Sequence, residues 1–209
     1  MKKLVVIAVI AAMAAVSPVA LASAQDHAGR MIRGTYAFTG SGHCVISTTG
    51  FDAQYQPNPG PGALVFTILQ TWEGDYTFDG HGSGSLRASF HGVDLPSFAV
   101  GSLANVSWEF TYAMTDHNRF QTYLAPGTYD KVEDAAGIKP VNYYDIVGAW
   151  NGVVARNGES IHITGGPPLK HILCDPSQPP CVRTSVEAFC SESHVGIRVQ
   201  DAPGPWSLR

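Results

Sequence analysis

From Val106 to Thr115 every second residue is large and apolar (Val106, Trp108, Phe110, Tyr112, Met114), and the residues between them are Ser107, Glu109, Thr111, Ala113 and Thr115. A two-residue period of this kind predicts a strand buried on one face. Near the end of the chain, Val182, Thr184, Val186, Ala188 and Cys190 share one face, and Arg183, Ser185 and Glu187 the other. Near the start, Ile32, Tyr36, Phe38, Cys44 and Ile46 share parity, provided that Gly40 and Gly42 do not bulge the strand. Residue type and flanking turns predict further strands over 64–72, 75–78, 85–91, 119–124, 146–155, 160–164, 169–174 and 195–199. Asp79-Gly80, Asn157-Gly158 and Gly165-Gly166 are turn dipeptides, and Arg156-Asn157-Gly158-Glu159 reads as a hairpin. Residues 52–62 and 126–142 read as long loops, the second with a short helical turn over 132–136.

Many short strands without a sustained helical period predict an all-β fold. A single antiparallel barrel is favoured and a sandwich is the alternative. An outer-membrane barrel would need lipid-facing apolar positions where Glu109, Arg183 and Glu187 stand.

The first residues break the pattern. Lys2-Lys3, the apolar run from Leu4 to Val16 and the small residues ending in Ala22-Ser23-Ala24 form a secretory signal peptide, residues 1–24, with cleavage after Ala24. An apolar run this short covers about 20 Å as a helix, against roughly 30 Å of hydrocarbon, so it reads as a signal and not an anchor. Residues 25–209 are then one domain, secreted or periplasmic, with no membrane-spanning segment. Removing 24 of 209 residues takes two lysines away and leaves 11 basic against 17 acidic residues. Scattered basic residues and a net negative charge argue against a nucleic-acid partner.

Cysteine gives the next constraint. Cys44, Cys174, Cys181 and Cys190 are even in number, which in an oxidising compartment reads as two disulfides with three connectivities open. The turn-forming Asp175-Pro176-Ser177-Gln178-Pro179-Pro180 favours Cys174–Cys181 and leaves Cys44–Cys190, whose side chains both fall on the apolar face by parity. No C-x-x-C pair is present, and the eight histidines show no pair at i,i+2 or i,i+4, so neither a metal site nor a cofactor is expected.

Catalytic motifs are absent as patterns. Asp79-Gly80-His81-Gly82-Ser83-Gly84 fits neither a phosphate loop nor a nucleophile elbow and reads as a glycine-rich turn. Asp130, Glu133 and Asp134 fall in the predicted second loop and read as solvated. Glu109 is the acid a barrel enzyme would offer.

Residues 34–44 (Gly34-Thr35-Tyr36-Ala37-Phe38-Thr39-Gly40-Ser41-Gly42-His43-Cys44), Gly50-Phe51, and Tyr76-Thr77-Phe78-Asp79-Gly80-His81-Gly82-Ser83-Gly84 resemble the opening of a group of uncharacterised exported bacterial β-proteins. Gly34-x-Tyr36 is also similar to the Gly-x-Trp that opens the first strand of lipocalins, with tyrosine for tryptophan and no readable long C-terminal helix. The resemblance implies a lipocalin-like barrel that holds a small apolar molecule. On this reading Tyr36, Phe38, Trp108 and Tyr112, inward by parity, are the candidate ligand-binding residues. Two other readings are a barrel enzyme, a cyclase or hydrolase, and a surface interaction module.

Overall fold

Side-chain alternation organises the whole molecule. The computed structural model describes residues 30–95, 100–134, 142–165, 169–175, 177 and 181–200, so the predicted signal peptide lies outside the described residues. One helical turn at 30–32 leads into eleven strands: β1 Gly34–Ser47, β2 Val65–Phe78, β3 Ser83–Leu95, β4 Val100–Asp116, β5 Arg119–Leu124, β6 Asp130–Asp134, β7 Asn142–Val147, β8 Trp150–Val154, β9 Ser160–Gly165, β10 Leu169–Cys174 and β11 Arg183–Gln200. The fold is all-β, and the strands form one antiparallel sheet in the order β1-β2-β3-β4-β5-β8-β9-β11-β10-β7-β6.

Two additional ladders, β1–β11 and β4–β6, return this order upon itself. The long strands β4 and β11 each pair with two neighbours on one side. On β4, Phe110–Asp116 pairs with β5, and Ala104–Ser107 with β6. On β11, Ser193–Ile197 pairs with β9, and Arg183–Cys190 with β10. The span between β4 and β11 is therefore split into β5-β8-β9 at one end and β6-β7-β10 at the other.

Several expected boundaries change. The 64–72 and 75–78 strands are one strand, β2, in register with β1 throughout. The expected 146–155 strand is divided between β7 and β8, because Gly148 turns the chain at φ 118°, which side-chain-bearing residues avoid. The expected loop over 126–142 contains β6, so Val132 is in a strand and not a helical turn. Ile32 is buried as expected, but from the helical turn and not from β1.

Ile32, Tyr36, Phe78, Leu86, Phe110, Phe120, Val154 and Ile161 belong to the main core cluster. Inward glycines make room for its rings: a Cβ on Gly84 would stand 2.4 Å from the Phe110 ring, and one on Gly152 2.1 Å from the Phe120 ring. Both pairs are cross-strand partners. Asp79 Oδ1 accepts the N–H groups of His81 and Ser83, so the glycine-rich segment is the β2–β3 turn.

Both expected disulfides are present, Cys44–Cys190 and Cys174–Cys181. Cys44 and Cys190 are direct partners across the β1–β11 ladder. Two disulfides point to an oxidising compartment, and among the described residues no helix is long and apolar enough to cross a membrane.

Candidate functional site

Strand alternation that fills the β5-β8-β9 end with aromatic rings places smaller and more polar residues at the β6-β7-β10 end. A cavity of about 240 Å³ lies there. The long strands supply Cys44 and Ile46 from β1, Ile68, Gln70 and Trp72 from β2, and Cys190 and Glu192 from β11. The short strands supply Asp130 and Val132 from β6, Tyr144 from β7 and His171 from β10. Trp72, edge-on to Trp108, sits where the packed end meets the cavity, and Trp108 in turn stacks on Trp150 at 5.5 Å.

Gln70, Asp130, His171 and Glu192 of this wall are buried. Glu192 accepts Gln70 Nε2 at 3.0 Å through Oε1 and Trp150 Nε1 at 3.1 Å through Oε2. Cys44 Sγ stands 3.5 Å from Gln70 Oε1; as half of a disulfide it has no proton to donate, so this is packing and not a hydrogen bond. Asp130 is 2% exposed, and its Oδ1 has no hydrogen-bond partner among the described residues. The same holds for Trp72 Nε1 and His171 Nε2.

Burial sets the charge states. It pushes the Asp130 carboxyl well above the usual carboxylate range, and the neighbouring Glu192 charge adds to the rise. Burial also raises Glu192, against the N–H groups of Trp150 and Gln70, which favour its charged form. The Tyr144 hydroxyl is raised by burial and by the Asp130 charge. His171 is lowered by burial to about 4 and is neutral at physiological pH. Deeper in, His194 Nδ1 lies 2.7 Å from the Tyr76 hydroxyl, and burial, with a smaller contribution from His162, lowers His194 to about 4.

Cys44, Cys190 and Glu192 bring three metal-ligand atoms within 4.8 Å of one another. Both sulfurs are consumed by the disulfide, so no thiolate is available to a metal.

The four residues selected from the sequence lie in the packed core, and none lines the cavity. The Tyr36 hydroxyl donates to Gly158 O at 2.8 Å, and Phe38 packs on Tyr76 at 4.6 Å and on His194 at 5.0 Å. Trp108 lies in the tryptophan group beside the cavity, and Tyr112 packs edge-on against Phe78. Glu109 is exposed on the outward face of β4. The solvated-loop expectation for Asp130 is overturned, because β6 turns that side chain inward. Gln70, Trp72, Asp130, Tyr144, His171 and Glu192 line the cavity, and no sequence motif marks them. Extending the 182–190 alternation by two steps would have placed Glu192 and His194 on the inner face.

No protein-family model matches the chain, and no curated protein matches it either.

Proposed function

We propose that the protein is an exported, lipocalin-like barrel that binds a small, mostly apolar molecule in the cavity at the β6-β7-β10 end. The observation that carries this reading is the cavity wall itself: Trp72, Asp130 and His171 line it, and Trp72 Nε1, Asp130 Oδ1 and His171 Nε2 are buried with no hydrogen-bond partner among the described residues. An unsatisfied buried polar group costs about 1–3 kcal/mol, so a wall with three of them is organised for a guest. At about 240 Å³ the space is below the roughly 300–1,000 Å³ of drug-sized sites, and the guest is correspondingly small. The barrel reading is supported by the β1–β11 ladder, which returns the sheet to its own first strand, and by the β4–β6 ladder, which joins the last strand of the order to β4.

Tryptophan fluorescence tests the proposal, since Trp72 lines the cavity. Phenol and indole should produce saturable changes in the wild-type protein and none in Ala104→Phe, which fills the same space while the far-UV spectrum stays unchanged. Absence of saturation with either probe, or equal saturation in the filled variant, overturns the reading.

A second reading is favoured by one observation: two carboxyls raised by burial share a cavity with a neutral histidine, a set suited to moving protons. As an isomerase or cyclase the protein would consume a bound molecule, and Asp130→Asn would abolish turnover while leaving binding. Retention of unchanged guest over many hours decides for binding alone.

A further inference from the structure

Among the described residues, those lining the cavity include two carboxyls, Asp130 and Glu192, and no lysine or arginine. The one basic group, His171, is only 9% exposed, with Nε2 unpartnered. Trp72, Phe90 and Tyr144 contribute aromatic rings to the same wall. Carboxyls beside aromatic rings suit a particular guest: ring faces attract a positive charge, and a desolvated cation over a ring gains about 2 kcal/mol. A carboxylate has about four lone-pair sites, and Glu192 uses two for Gln70 and Trp150, so it retains acceptor capacity. Asp130 Oδ1 has no hydrogen-bond partner among the described residues.

We propose that the cavity selects a small organic cation, an ammonium group on an apolar body, with the ammonium meeting Asp130 and Glu192 and the body lying against Trp72, Phe90 and Tyr144. This rests on the cavity being a binding site. An anion would meet two acids without a counter-charge. A neutral guest supplies no charge to either acid and so gains nothing from having the pair beside it. The apolar wall of Ile46, Ile68, Val132 and Ala188 favours an organic body over a hydrated inorganic ion.

Binding should also release protons. The groups facing Asp130 across the cavity are Glu192 on β11, His171 on β10 and Tyr144 on β7, and none carries a positive charge at neutral pH. An incoming ammonium is then the first cation these carboxyls meet, and it favours their ionised forms.

Calorimetric titration of the folded, oxidised protein with benzylammonium, benzyl alcohol and benzoate holds shape nearly constant while charge changes. The expected order is benzylammonium at least about tenfold tighter than benzyl alcohol, with no detectable benzoate binding. Asp130→Asn should collapse that preference. Should this variant fail to fold, the wild-type protein suffices: benzylammonium affinity should rise as pH is raised above the ordinary carboxylate range, with proton release, while benzyl alcohol affinity stays flat. Benzyl alcohol binding as tightly as benzylammonium, or a flat benzylammonium profile, overturns the cation inference and leaves the binding cavity intact. Failure of all three probes overturns both.

Discussion

The Arg198 guanidinium lies over the Tyr36 ring, 5.4 Å from its centroid. Its Nη2 donates to the Tyr36 hydroxyl at 2.8 Å and also to the carbonyl of Met31. One side chain from the last described strand thus holds the first strand and the helical turn that precedes it. Arg198→Met keeps much of the apolar stem and removes the charge and the guanidinium hydrogen bonds. Loss of about 1–3 kcal/mol is expected, read from the denaturant midpoint. Amide exchange over residues 30–36 should accelerate beyond the global change.

Asp130→Asn should stabilise the guest-free protein at neutral pH, because it removes the cost of ionising a buried carboxyl. The folded-state value of Asp130 is raised, so its contribution is most favourable below the unfolded value near 3.8 and is lost as pH rises toward the folded one. The advantage of the variant should therefore shrink as pH falls toward about 4. His171 and His194 act in the opposite sense. Both are lowered from 6.5 to about 4, so their contribution is complete above 6.5 and is lost on acidification through that window, by roughly 1.4 kcal/mol per pH unit for each. Thermal midpoints of both proteins across this range check the two signs together.

Replacing both members of a disulfide by serine should cost far more at Cys44/Cys190 than at Cys174/Cys181. The first pair is separated by 146 residues and the second by 7. Loop entropy alone assigns about 5 kcal/mol to the first and about 2.5 kcal/mol to the second. Chemical denaturation of the two double variants measures the difference. Cys44 and Cys190 also line the cavity, so probe binding should weaken in the first variant and persist in the second.

Gly152→Ala should cost about 1–3 kcal/mol through overpacking. The new methyl would stand 2.1 to 2.5 Å from three atoms of the Phe120 ring, which is itself 1% exposed and has little room to withdraw. Near-ultraviolet dichroism should report the disturbed ring packing, and Phe120→Leu in the same background should recover part of the loss.

Alternation made the strands legible because a one-sided apolar face is expensive to break. Trp108 to Met114 could be assigned inward from sequence, and the parity of Cys44 with Phe38 foretold which face the long disulfide would use. The cavity was harder to read for the same physical reason. Its defining residues are polar groups at inward positions, and a polar residue there looks like the end of a strand: Asp130 was assigned to a loop, and the second apolar face stopped at Cys190, one inward step before Glu192. Gly148 hid the β7–β8 division, since Val147 before it and Trp150 two residues after it have strand-forming side chains and only the backbone angle reveals the turn.

The eighteen-residue β11 pairs with β1, β9 and β10. Until it arrives, all three lack a neighbour, and neither the cavity nor the aromatic core has a complete wall. Assembly therefore waits for nearly the entire polypeptide, and contacts that span most of the sequence make for slow folding. A nascent chain built this way can pair β1 through β5 in sequence, but it cannot complete its sheet or shut off its core from water until β11 has been made.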